Sequence, residues 1–347
     1  MRILIIGGTG FIGPRVVLRL TEMDHDITLF HRGQTKADLP STVKHILGGR
    51  QKLPDFAAEF KQFAPDVVLD MFPLAEQDAR TAMSTFKGIT PRLVAISSQD
   101  VYRAYGKVIH MEPGPADPVP LNEDAPLRDS LYPYRDETPR DEKDPKRWLD
   151  NYDKIPVERT VMSEQGLAGT ILRLPMVFGP GDRQHRLFKY VKRMYDNRPA
   201  ILLDEGLARW RSTRGYVENV AAAIALAVTD ERAASRIYNV ADPEAFTMAE
   251  WVVEMGKAVG WGGEVTIVPK DSLPKHLLSG INTDQDLVVD TTRIREELGY
   301  REPVPLHEAL KKTVEWERAH PPDNIDPQMF DYETEDKILA DLKRNHS

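Results

Sequence analysis

Short apolar runs punctuate the first half of the chain, and stretches with helical spacing fall between them. The runs are Ile3-Leu4-Ile5-Ile6, Ile27-Thr28-Leu29-Phe30, Val43 to Leu47, Val67-Val68-Leu69, Leu93-Val94-Ala95-Ile96 and Thr170-Ile171-Leu172. They are rich in β-branched residues and do not alternate with polar ones, which suits strands buried on both faces of a sheet. Phe56 to Phe63 and Asp78 to Phe86 carry helical patterns and supply right-handed crossovers. The alternation predicts an α/β fold built on a doubly wound parallel sheet. No internal repeat interrupts it.

Two segments break the rhythm. Between Tyr102 and Tyr152 the chain is dense in charge and in proline, among them Pro113, Pro115, Pro118, Pro120, Pro126, Pro133, Pro139 and Pro145. A connection so far beyond the usual span of about 4–6 residues reads either as a solvated insertion or, the reading favoured, as a partial lid. The other segment, from Pro321 to the end, opens on two prolines and closes on a charged helical run from Glu333 to Arg344. It reads as an appendage. The expected organisation is a nucleotide-binding region over 1–175 with an insertion over 103–150, a smaller substrate-binding region over 176–320 interleaved with the last sheet strands, and an appendage over 321–347. Short strands are expected at Ile201-Leu202-Leu203, Ile237-Tyr238-Asn239-Val240 and Val265-Thr266-Ile267-Val268.

The first strand runs into Gly7-Gly8-Thr9-Gly10-Phe11-Ile12-Gly13 and then a helical pattern at Val16, Val17, Leu18 and Leu20. Gly7 can turn the chain sharply, Gly10 lets backbone amides approach a diphosphate, and Gly13 brings the helix close to the sheet. A helix N-terminus attracts the phosphate charge. Strand, glycine loop and helix in this order predict a Rossmann-type dinucleotide cradle.

Composition narrows the chemistry. The 347 residues carry a net charge of -8, which disfavours a broad electrostatic grip on nucleic acid. There is no cysteine, so disulfide and cysteine-based chemistry are excluded, and the nine histidines show no metal-ligand spacing. No apolar run is long enough to span a bilayer, and a strand beginning at the second residue leaves no room for a leader; no membrane association and a cytoplasmic location are expected.

Taken in order, several motifs resemble the extended short-chain dehydrogenase/reductases, the NAD(P)-dependent epimerase/dehydratase group, over roughly residues 1–318. They are the glycine loop; Ser97-Ser98-Gln99-Asp100-Val101-Tyr102; Leu172-Arg173-Leu174-Pro175-Met176-Val177-Phe178-Gly179-Pro180-Gly181; Arg214-Gly215-Tyr216-Val217-Glu218-Asn219-Val220; Tyr238-Asn239-Val240; Leu298-Gly299-Tyr300; and Thr313-Val314-Glu315-Trp316. The resemblance implies hydride transfer between a nicotinamide and a hydroxyl-bearing carbon, with a tyrosine moving the hydroxyl proton and a lysine one helical turn later stabilising its phenolate. It implies that Ser98 orients the substrate oxygen. It also puts Gly7, Thr9, Gly10, Phe11, Ile12, Gly13, His31, Arg32, Ser97, Lys154, Pro175 and Val177 against the cofactor, and implies a homodimer built through helices near Asp78 to Phe86 and Val157 to Gln165.

The sequence departs from the family at its tyrosine and lysine. In Asp150-Asn151-Tyr152-Asp153-Lys154-Ile155-Pro156-Val157-Glu158, the residue four after Tyr152 is Pro156. Matching Lys154 and Glu158 to the family's lysine and glutamate leaves Asp150 at the tyrosine position. Proline is tolerated in a first helical turn, so a helix is expected to start near Ile155, with Tyr152 and Lys154 in its entry loop. From there Tyr152 can serve as acid/base and Lys154 can hold the nicotinamide ribose; packing for the tyrosine and solvation for the lysine are the alternative. Tyr134 is a second candidate proton donor. Gln99-Asp100 stands where sugar dehydratases carry two acids, which points away from dehydration and toward an epimerase or reductase. Asp100 is either a general base or a turn cap.

The second strand ends Phe30-His31-Arg32-Gly33, without the acid that binds an NAD ribose; Arg32 suits a 2′-phosphate, so NADP(H) is favoured over NAD(H). By the resemblance Arg214 reaches a substrate phosphate, with Arg183 and Arg211 near it and Gln99 and Tyr134 also facing substrate. A polar, sugar-type small molecule is the expected substrate. The rival reading is a non-catalytic NADP-binding sensor or an RNA-binding relative that has lost the tyrosine–lysine pair.

Overall fold

A computed structural model describes residues 1–136 and 138–345; Glu137, His346 and Ser347, which belong to the expected insertion and appendage, lie outside the described residues. The chain opens as β1 (Arg2–Ile6), α1 (Gly13–Glu22), β2 (Asp26–His31) and β3 (Lys44–Leu47), then α2 (Ala57–Phe63), β4 (Val67–Asp70), α3 (Glu76–Phe86) and β5 (Arg92–Ser98). After α4 (Arg103–Val108) and a long irregular segment come α5 (Lys154–Ser163), β6 (Ala168–Leu174) and β7 (Met176–Phe178). The rest is α6 (Phe188–Tyr195), β8 (Ala200–Asp204), α7 (Glu205–Arg209), β9 (Arg214–Tyr216), α8 (Val217–Thr229), β10 (Arg236–Asn239), α9 (Met248–Val259), β11 (Glu264–Val268), α10 (Thr292–Leu298), α11 (Leu306–Ala319) and α12 (Tyr332–Asn345).

Seven strands form one sheet in the order β10-β6-β5-β4-β1-β2-β3, every pairing parallel. The strand order reverses between β1 and β4, where Ile6 pairs with Asp70, and in such sheets the crevice beyond the strand ends receives the ligand. The unalternating apolar runs are explained by a core on each face. Ile3, Ile5, Leu29 and Leu69 pack toward α1 and α8, and Leu4, Phe30, Val68 and Leu93 toward α3 and α5. Two small parallel pairs, β7 with β9 and β8 with β11, carry the C-terminal region beyond the sheet edge.

The proline-rich insertion is tied down rather than loose. Arg128 is completely buried and pairs with Asp153 at 3.1 Å, while Lys107 and Arg103 both meet Asp117, at 2.8 and 2.7 Å. These bonds fix it against α4 and the entry to α5. The C-terminal segment is likewise integral: Glu335 of α12 pairs with Arg193 of α6 at 2.5 Å with both side chains buried, and Ile338, Leu339 and Leu342 cover Leu202, Val268 and Leu273. Among the described residues no helix is long and apolar enough to cross a membrane.

Candidate active site

The glycine loop lies at the strand-order switch. Gly7 and Gly8 have φ of +91° and +89°, a left-handed backbone that side chains resist. A Cβ on Gly13 would sit 2.4 Å from the Gly8 carbonyl, so the helix approaches the loop as closely as only glycine allows, whereas a Cβ on Gly10 would meet nothing within 4 Å. Gly10 is thus dispensable to the protein's own packing and opens onto the cradle. The first turn of α1 contains no acid and has no side-chain cap, which leaves its N-terminus suited to an anion. Across the crevice, Arg15 donates to the carbonyls of Phe11 and Pro180 and so ties the loop to Gly179-Pro180-Gly181. The residues present fit a dinucleotide diphosphate.

At the end of β2, His31 shares a 2.9 Å ring-to-ring hydrogen bond with His45 and accepts from Gly33 N at 3.2 Å. Burial, then the neighbouring His45, pushes the His31 imidazolium below the usual histidine range. Arg32 is exposed. Arg50, which the sequence reading passed over, is instead committed: it donates two bonds to buried Asp70 at the end of β4, at 2.7 and 2.5 Å.

Beyond β5 the backbone amide of Asp100 donates to the Ser98 hydroxyl at 3.2 Å. The helix expected from Ile155 begins one residue earlier, at Lys154, because the Asp153 carboxylate caps it by accepting from Ile155 N at 2.9 Å. Tyr152 precedes the cap in extended conformation and reaches back to β5, donating to Asp100 Oδ2 at 2.7 Å, with the Ser98 hydroxyl close enough to act against the upward pull on its phenol. Lys154 is buried, with its ammonium on the carbonyls of Pro73 (2.6 Å) and Ile96 (3.0 Å) and 5.7 Å from the Tyr152 ring centre. Burial draws that ammonium down to about 8, opposed by the charges of Asp100 and Asp70. Ser98, Asp100, Tyr152 and Lys154 are therefore one cluster at the carboxyl edge of β5. Asp150, which takes the tyrosine position if Lys154 and Glu158 are matched to the family's lysine and glutamate, is taken up by Arg140.

Asp100 is buried, and desolvation raises its carboxyl above the usual range against the hydrogen bond of Tyr152 and the charges of Arg128 and Lys154. Its Oδ1 and both amide atoms of Gln99 find no hydrogen-bond partner among the described residues. Burial, then the Asp100 charge, holds the Tyr152 phenol well above its ordinary value. Tyr134, from the insertion, packs its ring 5.3 Å from that of Tyr152 at a tilt of 49° and donates to Asp100 at 3.4 Å; Tyr105 and Tyr134 share a 2.7 Å bond. Tyr105 and Arg128 carried no periodicity or spacing signal in the sequence.

Ser97 faces elsewhere. Its hydroxyl donates to Glu158 at 2.5 Å, and Glu158 holds Arg173 at 2.7 Å in a buried pair that also engages Tyr102. Its hydroxyl is thus committed to a buried group of the chain's own side chains. Pro175 and Val177 are buried along the link from β6 to β7, where the Val177 carbonyl accepts from Arg186.

The expected substrate arginines separate. Arg183 is exposed, and Arg211 donates to the carbonyl of Ala245 at 2.9 Å. Arg214 is buried with no carboxylate partner among the described residues; it lies 4.6 Å over Trp251, donates to Ser212 O at 3.4 Å and Met248 Sδ at 3.3 Å, and leaves Nε unpartnered. Desolvation lowers its guanidinium to about 10. The outward face of α3 and α5, where a second copy was expected, bears Arg80, Thr81, Ser84, Arg159 and Ser163.

Comparison with known proteins now adds to the geometry. The model of the NAD dependent epimerase/dehydratase family matches residues 3–112 and 129–241. The chain spans about half the length, 52%, of the first curated relative it matches, an uncharacterized protein of Sinorhizobium fredii that is 29% identical over 47% of this chain. It is 24% identical to 2'-dehydrokanamycin reductase of Streptomyces kanamyceticus over 84% of this chain and 75% of that one. It is 22% identical to the chloroplast stem-loop binding protein of 41 kDa b of Arabidopsis thaliana over 98% and 84% of the two chains. Among solved structures, UDP-glucuronic acid 4-epimerase from Bacillus cereus in complex with NAD superposes with a TM-score of 0.63 at 17% identity, over 92% of this chain and 99% of that one.

Proposed function

The chain belongs to the NAD dependent epimerase/dehydratase family, and from that premise we propose that it is an NADP(H)-preferring reductase or epimerase acting on a hydroxyl-bearing carbon of a polar, sugar-type substrate. One observation carries the reading: Tyr152, although displaced from the family's register, bonds its hydroxyl to Asp100, the second residue after Ser98, beside the buried Lys154. The nicotinamide supplies or accepts the hydride when bound. Ser98 orients the substrate oxygen and Tyr152 moves its proton. Lys154, already anchored on two carbonyls, holds the nicotinamide ribose with its remaining donor.

The electrostatics favour the reductive direction. A phenol beside a buried carboxyl keeps its proton, and a carbonyl becoming an alkoxide needs an acid. The reductase among the relatives supports this direction. NADP(H) preference rests on Arg32 at the end of β2 and the lack of an acid in Phe30-His31-Arg32-Gly33. Arg214 suits a substrate phosphate because guanidinium grips such groups bidentately, and it has no carboxylate of its own among the described residues.

The test is NADPH oxidation over a panel of keto sugars and keto-sugar nucleotides, with NADPH and NADH binding followed by fluorescence. Tyr152→Phe is expected to lower turnover about 10²–10⁴-fold with cofactor affinity unchanged. Unaltered turnover removes Tyr152 from the chemistry. The likeness to the stem-loop binding protein supports a second reading, RNA binding; strong association that collapses between two salt concentrations, with no pyridine nucleotide bound, would select it.

A further inference from the structure

Resting on the reading of Tyr152 as the acid, we propose that Asp100 is its proton reservoir and that Tyr134 and Tyr105 of the insertion connect this reservoir to solvent. Tyr152 is buried, and having given up its proton it must be refilled from a neighbour. Ser98 orients the substrate oxygen and its alcohol proton is too weakly acidic to refill a phenolate, and two Lys154 donors rest on backbone carbonyls. The remaining group on the Tyr152 hydroxyl is the Asp100 carboxyl, at 2.7 Å.

Every element around Asp100 contributes to its state. The entry to α5 brings Tyr152, Asp153 and Lys154, and the insertion brings Tyr134, Tyr105 and Arg128. Arg128 gives Nε to the Asp100 backbone carbonyl at 2.5 Å and its other donors to Ser130 O and Asp153. No cation among the described residues therefore pairs with the Asp100 side chain. Its Oδ2 is met by phenols, its Oδ1 is buried and unpartnered, and burial favours the neutral acid. From Asp100 the path continues 3.4 Å to Tyr134 and 2.7 Å to Tyr105, both only partly buried.

The protons balance. As the substrate carbonyl is reduced, its oxygen takes the Tyr152 proton and Tyr152 takes the Asp100 proton. Asp100 is refilled through Tyr134 and Tyr105 from water, so one solvent proton enters per carbonyl reduced. Oxidation of an alcohol runs the chain outward: Asp100 first releases its own proton through Tyr134 and Tyr105, its carboxylate then takes the proton from Tyr152, and water is the final acceptor. The insertion then supplies part of the proton path.

Tyr134→Phe and Tyr105→Phe break the path while keeping the rings, and two readouts separate this proposal from the reading beneath it. Without substrate, ¹³C-carboxyl NMR of the aspartates, with Asp100 identified by its loss in Asp100→Asn, is expected to show a carboxyl titrating above the ordinary range and shifting in both Tyr134→Phe and Tyr152→Phe. With NADPH and a keto sugar, Tyr134→Phe is expected to lower kcat on the order of tenfold at unchanged KM, and Asp100→Asn to remove the alkaline limb of the reductive pH profile. Full turnover in Tyr152→Phe, or none in the wild type, overturns the acid assignment; the NMR arm then still decides the Asp100 network. Inactive Tyr152→Phe with wild-type kcat, pH profile and Asp100 titration in Tyr134→Phe overturns the relay alone.

Discussion

Two carboxyl groups are buried close to the end of β5, and the chain treats them oppositely. Glu158 on α5 accepts from Arg173 and from Ser97, so its charge is fully met. Asp100 receives phenols, and one oxygen has no partner among the described residues. The same division runs through the arginines. The guanidinium of Arg173 is raised above its ordinary value by Glu158 despite burial, whereas that of Arg214 is pulled down to about 10 by burial and sits on Trp251. It runs through the glycines too, with Gly13 forced by the Gly8 backbone and Gly10 by nothing in the protein. Polar and steric needs met within the chain mark scaffold; needs left open mark places prepared for something else.

The sharpest way to break this division is Arg173→Ala against Asp100→Asn. Removing Arg173 strands a buried carboxylate and is expected to cost about 3–5 kcal/mol, much of a domain's net stability. Asp100→Asn is expected to stay within about 1 kcal/mol of the wild type, since no buried ion pair is broken. Urea unfolding measures both, and equal losses would dissolve the contrast. The pH dependence adds a sign. Burial raises the Asp100 carboxyl, so the folded chain binds that proton more tightly than the unfolded chain does, and wild-type stability falls as pH rises above the ordinary carboxylate range. Asp100→Asn escapes that fall, so its stability relative to the wild type should improve from pH 4 upward.

A smaller effect is expected at the glycine loop. Gly13→Ala drives a methyl into the Gly8 backbone at 2.4 Å. It should destabilise by about 1–3 kcal/mol and weaken cofactor binding as a consequence. Gly10→Ala meets no protein atom within 4 Å and should leave the melting temperature nearly unchanged while still lowering NADPH affinity. Thermal melts and fluorescence titration on the two variants separate the cases; parallel losses of stability would mean that Gly10 also serves the fold.

How much of this could be read from the chain follows the same line. The sheet was legible because strands buried on both faces need unbroken apolar runs, and the glycine loop because its constraints lie within seven adjacent residues. Ser98, Asp100, Tyr152 and Lys154 were named as candidates, but their meeting was hidden. It depends on the Asp153 cap and on a reach of 52 residues from Tyr152 to Asp100. Arg128 and Tyr105 left no trace, because they act through contacts in a proline-rich segment without periodicity. The closing helix was visible, yet its docking was not, since Glu335 finds Arg193 142 residues away.

A small stability change, and the most diagnostic one, is expected at Arg214. Arg214→Met keeps much of the side-chain volume and removes a buried guanidinium that has no carboxylate partner. The variant loses the contact with Trp251, a long bond to Ser212 O and the bond to Met248 Sδ, and is relieved of the desolvation of a charge. These terms oppose one another, so stability should move by less than about 1 kcal/mol in either direction. A scaffold arginine would not behave this way, as the loss expected for Arg173→Ala illustrates. If Arg214 instead awaits an anion, calorimetry with UDP should detect binding to the wild type and a loss on the order of tenfold or more in the variant. Equal UDP affinity in the two proteins, or a destabilisation approaching that of Arg173→Ala, would return Arg214 to the scaffold.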